Sequence, residues 1–233
     1  MTLARLRARH AWILPVAAVL FTLLAIGAYF DALPWDKPIF NWVVDVRTHW
    51  LVTLARRVSF LGSTPAVLTV SGLAALVAAR RCPRLAVAIL VVAAARPLIE
   101  FGLKELIDRN RPPIGTRLVR GTGPSFPSGH PLATAASWCM LPLVAALYVR
   151  RRFVWWSIAV GVWALAVLVA ASRVILGVHW PSDVVASLLL VVMGVAAVEL
   201  SVERAHIFPR LAGGPRDPPA VFKPCSLRAP GTE

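Results

Sequence analysis

Six apolar runs, several of them close to bilayer length, constrain this chain more than any other feature. They fall at roughly 11–30, 60–79, 85–103, 131–149, 153–171 and 184–200. About 20 residues of helix cross the hydrocarbon core, and a helix satisfies its backbone hydrogen bonds without water. Only 15% of the 233 residues are charged and 58% are hydrophobic, whereas a soluble domain carries charge on about a quarter of its residues. The expectation is an all-α polytopic membrane protein with six transmembrane helices in a bundle. The first run exceeds the apolar core of a secretory signal and no convincing A-x-A site follows it, so it reads as a retained signal-anchor helix.

A formal net charge of +14 would suit nucleic acid, but the placement of the charge decides otherwise. Arg5, Arg7 and Arg9 precede the first run. Arg80, Arg81 and Arg84 separate the second from the third, Arg150, Arg151 and Arg152 separate the fourth from the fifth, and a basic tail follows the sixth. Basic residues at every second boundary mark the cytoplasmic side. Both termini are therefore expected in the cytoplasm of a multi-pass plasma-membrane protein, with 104–130 and 172–183 outside and no nucleic-acid partner. Residues 1–207 read as the membrane domain, and 208–233 as a disordered, basic, Pro/Gly-rich cytoplasmic tail. Within 31–57, Phe40, Val43, Val44, Trp50, Leu51 and Leu54 recur at near-helical spacing, which predicts an amphipathic helix at the outer interface; a short ordered loop is the alternative. Cys82, Cys139 and Cys225 lie far apart without metal-type spacing, so no metal site is expected.

Three short groups combine phosphate-binding and proton-handling residues on that outer side. In the third, His179 and Asp183 are four apart and share a helical face. The carboxylate can hold one imidazole nitrogen, leave the other free to attack, and stabilise the charged ring that results. A helix-capping pair would place the same two residues. Arg173, across a short connection, has a planar fork suited to two phosphoryl oxygens. Pro127-Ser128-Gly129-His130 precedes the fourth run. Ser128 is a favoured N-cap, Gly129 lets amides approach an anion, and His130 is placed to act as a general acid. Lys104 and Arg111, two helical turns apart, could project from one face with Pro112 stopping the helix; snorkelling cations would look alike. Arg96 and Glu100, four apart inside the third run, read as a structural ion pair beneath the site.

Lys104, Arg111 and Pro112 fit KxxxxxxRP; Pro127, Ser128, Gly129 and His130 fit PSGH; Ser172, Arg173, His179 and Asp183 fit SRxxxxxHxxxD. In order and spacing these eleven positions resemble the signature of the type-2 phosphatidic acid phosphatase (lipid phosphate phosphatase) superfamily. The resemblance implies a phosphatase acting on membrane lipid phosphates or pyrophosphates, without metal or other cofactor. In that scheme His179 becomes a phosphohistidine oriented by Asp183, and His130 protonates the leaving alkoxide and then activates water. Lys104, Arg111, Arg173, Ser128 and the Gly129 amide hold the phosphoryl oxygens. Polyprenyl (pyro)phosphates, phosphatidylglycerophosphate and phosphatidic acid are the substrates implied, with a slight preference for a polyprenyl carrier. Transfer of the phosphoryl group to an alcohol, or a non-catalytic transporter or scaffold, are the alternatives. No motif speaks to oligomeric state.

Overall fold

In the computed structural model the described residues are 3–149 and 151–204, with side chains from Trp12 to Val149 and from Arg151 to Ala196. The segment expected as a tail, 208–233, lies outside them. The described chain is all-helical: α1 (Leu3–Tyr29), α2 (Asp36–Asp45), α3 (His49–Phe60), α4 (Thr64–Ala79), α5 (Pro83–Ile107), α6 (Gly129–Trp138), α7 (Leu141–Ala146), α8 (Arg152–Ile175) and α9 (Pro181–Arg204). Among these residues, α1 over Trp12–Tyr29, α5 and α8 are each long and apolar enough to cross a bilayer. Helices α3 and α4 make a fourth candidate if taken together, bent by 45°. The run 131–149, expected as one span, is divided between α6 and α7, and the described apolar part of α9, Pro181–Ala196, is shorter than the other spans. The segment expected to form one interfacial helix is two helices, α2 and α3.

Small residues set the packing. The buried face of α4 is Val67, Ser71, Ala74, Ala75 and Ala78, and that of α8 includes Ala159, Val162, Ala166, Val169 and Ala170. Without hydrophobic driving force in lipid, close backbone approach and interhelical hydrogen bonds hold such helices together. The Ser71 hydroxyl donates to Ser137 Oγ at 2.8 Å, joining α4 to α6, and Trp138 Nε1 donates to the Leu61 carbonyl at 3.2 Å. Gly62, at the bend between α3 and α4, lies so close to α6 and α8 that a Cβ would meet Thr134 Oγ1 at 2.8 Å and Val169 Cγ1 at 2.9 Å. Many large apolar side chains face outward: Leu23 and Ile26 on α1, Leu68 and Leu76 on α4, Leu90 and Leu98 on α5, Val160 and Leu168 on α8 are all exposed. An apolar belt of that extent needs lipid against it.

Helix α6 is the centre of the bundle, packed by α4, α5, α8 and α9, while α1 lies against α9 and α2 against α8 and α9. Chain direction then sorts the polar residues. The C-terminal ends of α5 and α8 and the N-terminal ends of α6 and α9 meet at one end of the bundle. The short, Arg-bearing connections α4–α5 and α7–α8 lie at the other.

Candidate active site

His179 sits in the connection between α8 and α9, not on a helix. Gly177 turns that connection with φ +76°, where a Cβ would also strike the Thr116 carbonyl. Pro181 opens α9, a position where its missing N–H costs nothing. Asp183, two residues on, accepts the Trp180 N–H on Oδ2 at 2.9 Å. This is half of a capping box, so the carboxylate does cap its helix. The same Oδ2 lies 3.4 Å from His179 Nδ1. The shorter contact of that nitrogen, 2.8 Å, is to the Ser125 carbonyl. A carbonyl only accepts, so Nδ1 carries the proton and Nε2 keeps its lone pair. Nε2 faces Arg111 Nη1 at 3.1 Å. The ring is 3% exposed. Burial pushes the His179 pKa down to about 4; Asp183 works against that, and Arg111 and Arg173 add to it. At neutral pH the ring is uncharged.

The first motif departs from its expected geometry. Helix α5 ends at Ile107, and Asp108 follows in the left-handed region with φ 41°. Lys104 and Arg111 therefore do not share a helix, and Pro112 is not what stops it. Arg111 reaches the site from the loop and organises that loop. Its Nε donates to the Gly123 carbonyl at 2.9 Å, Nη2 to those of Thr122 and Pro124, and Nη1 to that of Val178 at 2.8 Å. Lys104 remains on α5, with Nζ 2.7 Å from Glu100 Oε1, and Glu100 Oε2 takes Arg96 Nη1 at 2.6 Å. The expected Arg96–Glu100 pair is thus a three-membered ladder that ends on a motif lysine.

At the start of α6, Ser128 occupies the N-cap position, but its hydroxyl makes no cap hydrogen bond. Its N–H donates to the Asp183 carbonyl at 3.2 Å, and its own carbonyl accepts the Ser187 hydroxyl at 2.8 Å, which ties α6 to α9. Ser128 Oγ is buried with no protein partner. At Gly129 a Cβ would strike the Glu100 carboxylate, which would have to shift away from it. The His130 ring makes no hydrogen bond among the described residues, and the fixed cations acting on it are Arg173, Lys104 and Arg96. Arg173, 6% exposed, donates from Nη1 to Ser59 Oγ at 2.6 Å, and its Nε has no partner. Motif residues from α5, α6, α8, α9 and the 108–128 loop are therefore gathered at one end of the bundle.

One buried residue was not singled out by the motifs. Arg109 donates from Nη1 to Asp183 Oδ1 at 2.7 Å and from Nη2 to Asp36 Oδ2 at 2.6 Å. It falls at a variable position of the first motif, and Asp36 lies far away in the interfacial segment. No local spacing connects them.

A family model described as the PAP2 superfamily matches residues 85–206. Phosphatidylglycerophosphatase B of Escherichia coli K12 is 46% identical over 69 residues, 30% of this chain and 25% of that protein, so the match spans a quarter of that relative's length. Phosphatidylglycerophosphatase B of Bacillus subtilis is 33% identical over 182 residues, 73% of this chain and 85% of its own. A crystal structure of a transmembrane PAP2-type phosphatidylglycerolphosphate phosphatase from Bacillus subtilis superimposes with a TM-score of 0.72 at 26% identity. The superposition covers 81% of this chain and 95% of that one.

Proposed function

The chain belongs to the PAP2 superfamily, and from that premise we propose that it is a metal-independent lipid phosphate or lipid pyrophosphate phosphatase working through a phosphohistidine. The observation that carries this reading is the setting of His179: a buried ring whose Nδ1 donates to the Ser125 carbonyl, which leaves the lone pair on Nε2, turned toward Arg111 Nη1.

In the first step Nε2 attacks phosphorus and the bond to the lipid oxygen breaks. His130 gives its proton to that leaving alkoxide. The ring of His130 lies among fixed cations, and an arriving phosphate supplies the negative charge that lets it carry a proton. In the second step His130 takes a proton from water, the water oxygen attacks phosphorus, and the N–P bond breaks. Inorganic phosphate leaves and His179 is uncharged again. Arg173 Nε and Ser128 Oγ, both buried and unpartnered, are donors suited to the phosphoryl oxygens, with Arg111 and Lys104 adding positive charge. Lys104 exchanges Glu100 for phosphate when substrate binds.

Chain direction supports an orientation as well. The basic connections lie at the end of the bundle opposite the site, so the positive-inside rule puts the reaction on the extracytoplasmic face and both termini in the cytoplasm. A site at that rim lets the tail stay in lipid while the headgroup reacts. We take phosphatidylglycerophosphate as the first candidate substrate, supported by the names of the two bacterial relatives, with polyprenyl (pyro)phosphates and phosphatidic acid next. The test is phosphate release from these lipids by purified protein in detergent. His179→Ala should abolish it and EDTA should leave it intact. Retained turnover in the variant, or loss with EDTA, would reject the mechanism.

A further inference from the structure

Asp36, Arg109 and Asp183 form a buried line of charge that ends at His179. Asp36 is 1% exposed and Asp183 0%, and the side chain of Arg109 is 4% exposed. Besides Arg109, Asp36 accepts the Ser182 N–H at 2.8 Å and the Ser182 hydroxyl, and Arg109 Nη1 also donates to Ser182 Oγ at 2.7 Å. The first turn of α2 is thereby locked onto the first turn of α9, the turn that carries Asp183. Two buried carboxylates share one guanidinium, so the buried group bears one negative charge, and it lies on the Nδ1 side of His179; the exposed Asp31, 3.8 Å from Arg109 Nη2, is itself paired with Lys37 at 3.7 Å.

That balance matters for a nucleophilic imidazole. A buried carboxylate with no counter-ion would draw a proton onto the ring and remove the attacking lone pair. A carboxylate fully neutralised by arginine would give no stabilisation to the charged ring formed when phosphorus is attached. We propose that Arg109, held between Asp36 and Asp183, is the positioning residue that fixes Asp183 and sets how much of its charge reaches His179, with Asp36 as the counterweight. The inference rests on His179 as the nucleophile. Arg109 itself stays charged: burial opposes this, but Asp183 and Asp36 together raise its pKa above the usual arginine range.

The charges around His179 are Asp183 on α9, Arg173 on α8, His130 on α6, and Arg111 in the loop, with Arg109 and Asp36 behind Asp183. Only the last two are varied in the test. Full-length protein labelled with 15N-histidine is titrated in detergent by long-range 1H–15N spectra, with His179 assigned from its absence in His179→Ala. Arg109→Gln should raise the His179 titration from about 4 by about one unit or more, and Asp36→Asn should lower it. In lipid phosphate hydrolysis both should lower kcat roughly tenfold or more with little change in KM. If Arg109→Gln does not fold, the isosteric Asp36→Asn carries the test, and Arg109→Lys should keep the titration near wild type while still losing kcat. A folded Arg109→Gln or Asp36→Asn with an unmoved His179 titration would overturn the proposal, since a staple between α2 and α9 would change only stability. Opposite shifts in a protein that hydrolyses no lipid phosphate would sink the function proposed above and leave this arrangement standing.

Discussion

The two histidines of the site are held in opposite ways. Both ring nitrogens of His179 are engaged, by Ser125 and Asp183 on one side and Arg111 on the other, and each of those partners is bound further. On the α6 side, the His130 ring, Ser128 Oγ and Arg173 Nε have no hydrogen-bond partner among the described residues. A nucleophile gains from being fixed in one tautomer and one orientation before substrate arrives. Groups that hydrogen-bond a phosphoryl dianion directly and deliver a proton gain from being uncommitted until it does, while Arg111 and Lys104, already paired, contribute charge. On the proposed mechanism the difference is a division of labour, with a locked attacking half and an open receiving half.

Removing each histidine is the strongest way to break that comparison. His179→Ala should reduce kcat on the order of 10⁴-fold or more, because no other group supplies the attacking nitrogen. His130→Ala should also cost kcat heavily, but in a manner that depends on the leaving group. Turnover of a substrate with an acidic leaving group, such as p-nitrophenyl phosphate, should recover by at least about tenfold relative to a lipid alkoxide. If both variants lose all substrates equally, the assignment of separate halves fails. Arg173→Lys comes next. It keeps the charge and loses the fork, and about 10²-fold in kcat is expected, measured by phosphate release.

How much of this was legible in the sequence depends on the range of each interaction. The all-helical membrane class follows from run length and composition. The candidate site residues could be proposed because His179 and Asp183, or Ser128 and His130, are close along the chain. The span 131–149 was not legible as two helices, since Trp138–Leu141 carries no strong breaker before Pro142. Nor was the left-handed turn at Asp108, which takes Arg111 off the helix that carries Lys104. Ser125 escaped notice because its contribution is a main-chain carbonyl, which every residue owns. Arg109 pairs with Asp36 and Asp183, each more than 70 residues distant, and such a pairing exists only after α2 has docked on α9.

The locked half should also show itself in stability. An unfolded histidine takes up a proton near 6.5, whereas folded His179 does so only near 4. Between those values the unfolded chain holds more protons, so stability falls as pH falls through that window and is fully present above it. The loss from this group should reach up to about 3 kcal/mol by pH 4. Melting of the purified protein followed from pH 7 to pH 4 should decline more steeply in wild type than in His179→Asn. Parallel curves would mean that His179 titrates normally and is not locked.

The smallest effect discriminates most sharply, because two serines a turn or so from the same contact lie on opposite sides of the divide. Ser187 Oγ is committed, its one proton shared between the carbonyls of Ser128 and Asp183, each 2.8 Å away. Ser128 Oγ is buried and uncommitted. Ser128→Ala removes a donor that has nothing to donate to until phosphate binds, so stability should hardly change while inhibition by inorganic phosphate weakens by about tenfold, the worth of one hydrogen bond to a charged group. Ser187→Ala should show the reverse, a loss of about 1 kcal/mol in stability with phosphate inhibition retained. If Ser128→Ala instead lowers the melting temperature and leaves inhibition by phosphate as it was, the receiving half is not where the phosphoryl group sits.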